Sequence, residues 1–115
     1  MMLLVAVGGA LGSLVRYILS SSLSNFSPWV TVLVNVLGGF TIGLLYKYTE
    51  GSSISEQIRT LGVIGFCGGF TTFSTFGIDF VNLLRQDQLG LGMLYILFSV
   101  VGTICAVFLG IRILS

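Results

Sequence analysis

The chain contains no histidine. Imidazole metal sites and histidine acid–base chemistry are therefore excluded. Charge is scarce as well. Charged residues make up 8% of the 115 positions, against roughly a quarter in an ordinary soluble domain. A net charge of +1 supplies no basic patch for nucleic acid, so none is expected as a partner. There are only two cysteines, Cys67 and Cys105, each inside an apolar run. Two isolated thiols without histidine make neither a disulfide framework nor a metal cluster, and both read as small packing residues.

What the chain has instead is apolar length. Hydrophobic residues make up 55% of it, and the mean hydropathy is +1.07. That composition belongs to an integral membrane protein, with all-α structure in a single four-helix transmembrane domain over residues 1–115. Four apolar runs, at about residues 2–21, 28–48, 58–84 and 90–113, each approach or exceed the roughly 20 residues that cross a bilayer. The first run lacks a basic start and is interrupted by Arg16, so it reads as a retained span rather than a cleaved signal. The only proline, Pro28, stands beside Trp29 and suits a helix start at the membrane interface. Ser53 or Ser55 is placed to cap the third helix.

An even number of spans puts both termini on one side, together with the second turn. That side carries Lys47, Arg59 and Arg112, and the other carries Arg16 and Arg85. Three cations against two give almost no positive-inside bias. Either burial and assembly decide orientation, or copies insert both ways up and pair antiparallel. Glycines at small-xxx-small spacing (Gly8 and Gly12, Gly39 and Gly43, Gly65 and Gly69, Gly102 with Ala106 and Gly110) allow close helix packing, and four short helices hide few polar groups. A dimer or larger assembly is expected.

The polar residues inside the spans carry the functional reading. Asn35 lies in line with Gly39 and Gly43, where its amide either bonds another helix or lines a cavity. Tyr95, Ser99 and Thr103 form a hydroxyl stripe along the fourth span. In the third, Gly68-Gly69-Phe70-Thr71-Thr72-Phe73-Ser74-Thr75-Phe76 disfavours continuous helix at membrane depth, and a third helix broken at midspan is expected. Irregular backbone at that depth survives only where protein buries it or where it lines a wet path. All of these polar side chains donate hydrogen bonds and none is anionic. Phe73 and Phe76 bracket Ser74 and Thr75, and ring edges carry partial positive charge.

No nucleophile–base pair can be assembled, so the chain is not read as an enzyme. A small dual-topology proton-coupled multidrug exporter would want an acid at membrane depth, and Asp79 is the one candidate, although it also reads as a membrane-end carboxylate near Arg85. A structural subunit of a membrane complex would explain the glycines but not the donor stripe.

Gly8-Gly-x-x-Gly12-x-x-x-Arg16-Tyr17, Thr31-x-x-Val34-Asn35-x-x-Gly38-x-Phe40-x-x-Gly43 and Gly65-Phe-Cys-Gly68-Gly69-Phe-Thr-Thr-Phe-Ser-Thr-Phe76 resemble the signature of the Fluc (CrcB) fluoride channels. The resemblance covers all four spans. It implies an antiparallel, dual-topology homodimer with two pores in the cell inner (plasma) membrane, or a heterodimer with a paralogue. It implies fluoride leaving the cytoplasm down its electrochemical gradient, which protects the cell. It implies a central Na+ held by the backbone carbonyls of Gly68 and Thr71. By the same resemblance Asn35, Phe73 and Phe76 are pore residues, Ser74, Thr75, Tyr95, Ser99 and Thr103 belong to the polar track, and Arg16 stands at the vestibule.

Overall fold

The computed structural model describes residues Met1–Ser115, all of them in helices and short turns with no strand. Four helical stretches are long and apolar enough to cross a membrane: Met2–Ser22, Trp29–Tyr48, Ser55–Arg85 and Leu89–Ile113. The first two are helices α1 (Met2–Ser22) and α2 (Trp29–Tyr48), joined by a 3-10 turn at Ser24–Phe26. In lipid a backbone must satisfy its own hydrogen bonds, which is why long apolar runs resolve into helices.

The third stretch is composite. It comprises α3 (Ser55–Ile58), a π-helical segment (Arg59–Cys67), α4 (Gly68–Phe70) and α5 (Ser74–Arg85). In the π segment the wider turn shows in the Gly68 N–H, which reaches back to the Val63 carbonyl. After Phe70 the chain leaves helical geometry: Thr71 is extended, at φ −80° and ψ 159°. Helix resumes at Ser74. The last helix is α6 (Leu89–Ile113).

Two seams of small residues hold the bundle. Along the first, α1 lies against the π segment and α4. A Cβ added to Gly8 would strike the Leu61 carbonyl oxygen, one on Gly12 the Phe66 carbonyl, and one on Gly69 the Gly9 carbonyl. Along the second, α2 lies against α6, where a Cβ on Gly43 would strike the Val107 carbonyl and one on Gly110 the Phe40 carbonyl. These are backbone-to-backbone contacts, possible only without side chains. Between the seams Val30, Val34 and Phe70 form a small core, covered by Leu19, Leu23 and Phe66. Only 19 of 115 residues are buried, so most apolar side chains face outward, as a lipid environment permits.

At one end Arg59 staples α2 to the third stretch. Its Nε donates to Thr49 Oγ1 at 2.7 Å, a terminal nitrogen donates to the Tyr46 carbonyl at 3.2 Å, and the guanidinium lies 4.4 Å over the Tyr46 ring. Nearby, Lys47 pairs with Glu50 at 2.8 Å, and that hydrogen bond, with the lysine charge, holds the Glu50 carboxyl below its usual range. Neither Ser53 nor Ser55 caps α3. Ile54 precedes the helix, Ser55 is already inside it, and Ser52 Oγ accepts the Ile54 N–H instead, at 3.3 Å.

Candidate functional site

The residues between α4 and α5 are organised by an amide. Asn35, on α2, donates from Nδ2 to the Thr72 carbonyl at 2.9 Å and accepts the Thr72 N–H on Oδ1 at 2.8 Å. This pairing replaces the helical partners that Thr72 has lost. Asn35 is therefore an interhelical tether, with one N–H left over. Thr71 folds back on the preceding turn, its N–H and its Oγ1 both donating to the Cys67 carbonyl, at 2.9 and 2.8 Å. Its methyl group fills the space above Gly38, where a Cβ would collide with it. Thr72 Oγ1 accepts the Thr75 N–H at 3.2 Å, satisfying one of the free donors that open α5.

Four carbonyls at the end of a helix lack partners within it. That of Cys67 is taken by Thr71. The Gly69 carbonyl accepts from Arg16 Nε on α1, at 3.1 Å. Like that of Phe70, the carbonyls of Gly68 and Thr71 accept no hydrogen bond from backbone or side chain.

These two residues line an open groove of about 520 Å3 between α2, α6 and the 71–73 stretch. Asn35, Phe73, Phe76, Ser99 and Thr103 line it too, and no acidic side chain does. Of the residues expected from sequence, the groove thus gathers Asn35, Gly68, Thr71, Phe73, Phe76, Ser99 and Thr103. Ser74, Thr75, Tyr95 and Arg16 are not on its wall. Ser99 is 5% exposed, and its Oγ has no partner. That is unusual here, because Thr41, Thr49, Thr60 and Thr71 each donate to the carbonyl one turn back.

An aromatic ladder runs beside the groove. Phe73 and Phe76 stack at 5.4 Å with 25° between their planes, and Phe76 stacks on Tyr95 at 5.3 Å and 16°. Trp29 meets Tyr95 edge-on at 5.8 Å. Near-parallel stacking turns ring edges, not faces, sideways. Tyr95 is fully buried, while Phe73, at the open end, is 83% exposed.

Asp79 explains why Tyr95 stays in place. Its Oδ2 accepts from Tyr95 OH at 2.8 Å and from Thr31 Oγ1 at 2.7 Å. The carboxylate is thus committed to α2 and α6, and it makes no ion pair with Arg85. Sequence reasoning missed this trio and the part played by Trp29. One signal was present, since Thr31 lies one turn before Asn35 on the same helix.

Comparison with known proteins places the chain. The family described as "CrcB-like protein, Camphor Resistance (CrcB)" matches residues 3–111. A protein of Agrobacterium fabrum named fluoride-specific ion channel FluC is 46% identical over 114 residues, covering 94% of this chain and 90% of that protein. One of the same name from Phocaeicola vulgatus is 44% identical over 115 residues, covering 96% and 94%. Fluoride-specific ion channel FluC 2 of Rhodococcus jostii is 43% identical over 115 residues, covering 98% and 97%. With a family match over nearly its whole length and relatives this similar from end to end, the chain belongs to the CrcB family.

Proposed function

We propose that the protein is a fluoride-specific ion channel, which lets cytoplasmic fluoride leave the cell down its electrochemical gradient and so lowers fluoride toxicity. The observation that carries this reading is Ser99. Its buried hydroxyl has no partner and opens on a groove without acidic side chains, beside a stack of ring edges. Fluoride must exchange strong water hydrogen bonds for donors of similar reach. Ser99, Thr103, the spare Asn35 N–H and the edges of Phe73 and Phe76 supply them, and no acidic side chain on the groove wall repels an anion. Family membership and the names of the similar proteins support the same activity. Ser74, Thr75 and Tyr95 flank this path, and Tyr95 acts through its stack on Phe76. No covalent chemistry is involved.

The working form we propose is an antiparallel, dual-topology homodimer in the inner (plasma) membrane. The groove is open on one side, Phe73 at its edge is largely uncovered, and the charge bias between the two ends is slight. A second copy would close the groove. On this reading the third helix is broken at residues 71–73 for a purpose. In an antiparallel pair, midspan breaks meet on the two-fold axis, and the unpaired carbonyls of Gly68 and Thr71 are hard oxygen donors suited to Na+. Bound there, such a cation would raise the potential along the path of an anion through a low-dielectric bundle. The multidrug-exporter reading loses its support, because Asp79 is occupied by Thr31 and Tyr95.

The test is efflux from liposomes that contain purified protein, loaded with fluoride or with chloride. Rapid fluoride loss with chloride retained is expected. Equal efflux of both anions, or of neither, overturns the reading.

A further inference from the structure

Arg16 does something at the third helix that its charge alone does not describe. It lies on α1, donates from Nε to the Gly69 carbonyl at 3.1 Å, and has no carboxylate partner. Gly69 is also pinned on that side, because its backbone lies so close to Gly9 that a Cβ would strike the Gly9 carbonyl. The peptide at Gly69 therefore faces α1. Gly68 and Thr71, on either side of it, line the groove, and Gly69 does not.

The carbonyls at this break are thus divided by their partners. Cys67 is taken by Thr71, Gly69 is taken by Arg16, and Gly68, Phe70 and Thr71 are left free, of which Gly68 and Thr71 line the groove. A carbonyl released from Arg16 would be an unsatisfied acceptor at membrane depth, and the local peptides would turn to satisfy it. Such a turn displaces Gly68, directly before it, and Thr71, two residues on, both of which line the groove.

We propose that Arg16 is a positioning residue for the cation site, holding the Gly69 carbonyl toward α1 so that the backbone at Gly68 and Thr71 keeps its place on the groove wall. The inference rests on the proposed cation reading of their two carbonyls. It concerns the Nε donor, not the charge.

Side-chain chemistry separates the two. In Gln, Nε2 stands as many bonds from Cα as Arg Nε does, so Arg16→Gln keeps a donor there and removes the charge. Arg16→Lys keeps the charge but puts a methylene at that point. Arg16→Leu removes both. The measurement is the Na+ concentration at half-maximal protection against thermal unfolding of purified protein, with N-methylglucamine balancing the salt. Circular dichroism checks that each variant is helical. Wild type and Arg16→Gln are expected to agree within about threefold, while Arg16→Lys and Arg16→Leu need at least tenfold more Na+, a separation of about 1.4 kcal/mol or more in binding. A Na+-dependent wild type with all three variants unchanged, or with Arg16→Lys normal and Arg16→Gln impaired, overturns the proposal alone and returns Arg16 to an electrostatic role. A wild type indifferent to Na+ overturns the cation reading, and the proposal with it.

Discussion

Asn35 on α2 and Thr72 in the stretch between α4 and α5 are joined by two hydrogen bonds, amide to peptide, at 2.9 and 2.8 Å. The side chain behaves like a strand neighbour for one residue. It satisfies both backbone groups of Thr72 where the helix cannot, and it keeps a single N–H for other use.

Replacing that side chain is therefore expected to cost more than a pore donor. In Asn35→Asp a carboxylate oxygen faces the Thr72 carbonyl, and no donor remains. In Asn35→Ser the side chain is too short to bond both groups. Each variant should lose about 1–3 kcal/mol of unfolding stability, the cost of stranding a buried polar group. Fluoride efflux should be lost in Asn35→Asp, where charge repulsion is added. Thermal unfolding and efflux on the same preparations test this. A fully stable, conducting Asn35→Asp would mean that neither the tether nor the path depends on the amide.

The ladder makes unequal demands on its two phenylalanines. Phe76 stacks on both Phe73 and Tyr95, whereas Phe73 stacks on Phe76 alone. Phe73→Ile and Phe76→Ile should each cut fluoride flux at least tenfold, because the polar ring edge is gone. Phe76→Ile should be the less stable, by about 0.5–1.5 kcal/mol for the extra pair lost. Normal flux in both variants would make the rings ordinary packing.

Asp79 and Tyr95 should prove coupled. Asp79→Asn keeps the shape but weakens acceptance from two hydroxyls, and Tyr95→Phe removes one of those donors. Each single change is expected to cost about 1–3 kcal/mol, and the double variant distinctly less than the sum. A double-mutant cycle on unfolding stability measures the difference. Strict additivity would show that the 2.8 Å contact contributes nothing.

The seams give a steric prediction with an internal control. Gly12→Ala drives a methyl group into the Phe66 carbonyl and Gly43→Ala drives one into the Val107 carbonyl. Gly77 and Gly90 have nothing within 4 Å of an added Cβ. The first two substitutions should abolish or severely reduce folded protein, by more than about 3 kcal/mol, and the other two should be within about 0.5 kcal/mol of wild type or better. Yields of monodisperse protein in detergent, followed by thermal unfolding, decide it.

Much of this molecule is legible in its sequence because lipid leaves few choices. Apolar length sets the four spans, and the glycine spacings mark the seams before any partner is known. Within the cluster from Gly68 to Phe76 the backbone is extended at Thr71. What stays hidden depends on distant pairings. Asp79 finds Thr31 and Tyr95 rather than the neighbouring Arg85, because packing of α5 between α2 and α6 decides its company, not sequence distance. The Arg16–Gly69 bond is hidden for the same reason. The π segment from Arg59 to Cys67 carries no periodic mark, since an apolar run reads alike at either pitch.

The two glycine seams also constrain how the protein can work over time. A carrier alternates by sliding or rocking one element past another, and packed helices commonly do so by whole turns. Here a one-turn slip of α1 would bring Leu4 or Arg16 into a seat shaped for Gly8 and Gly12. A similar slip of α2 would bring Asn35 or Lys47 against the carbonyls that now face Gly39 and Gly43. The chain is keyed like a ratchet with no second notch. Permeation through such a scaffold depends on side-chain and ion movement, so its throughput follows the ion gradient rather than the period of a conformational cycle.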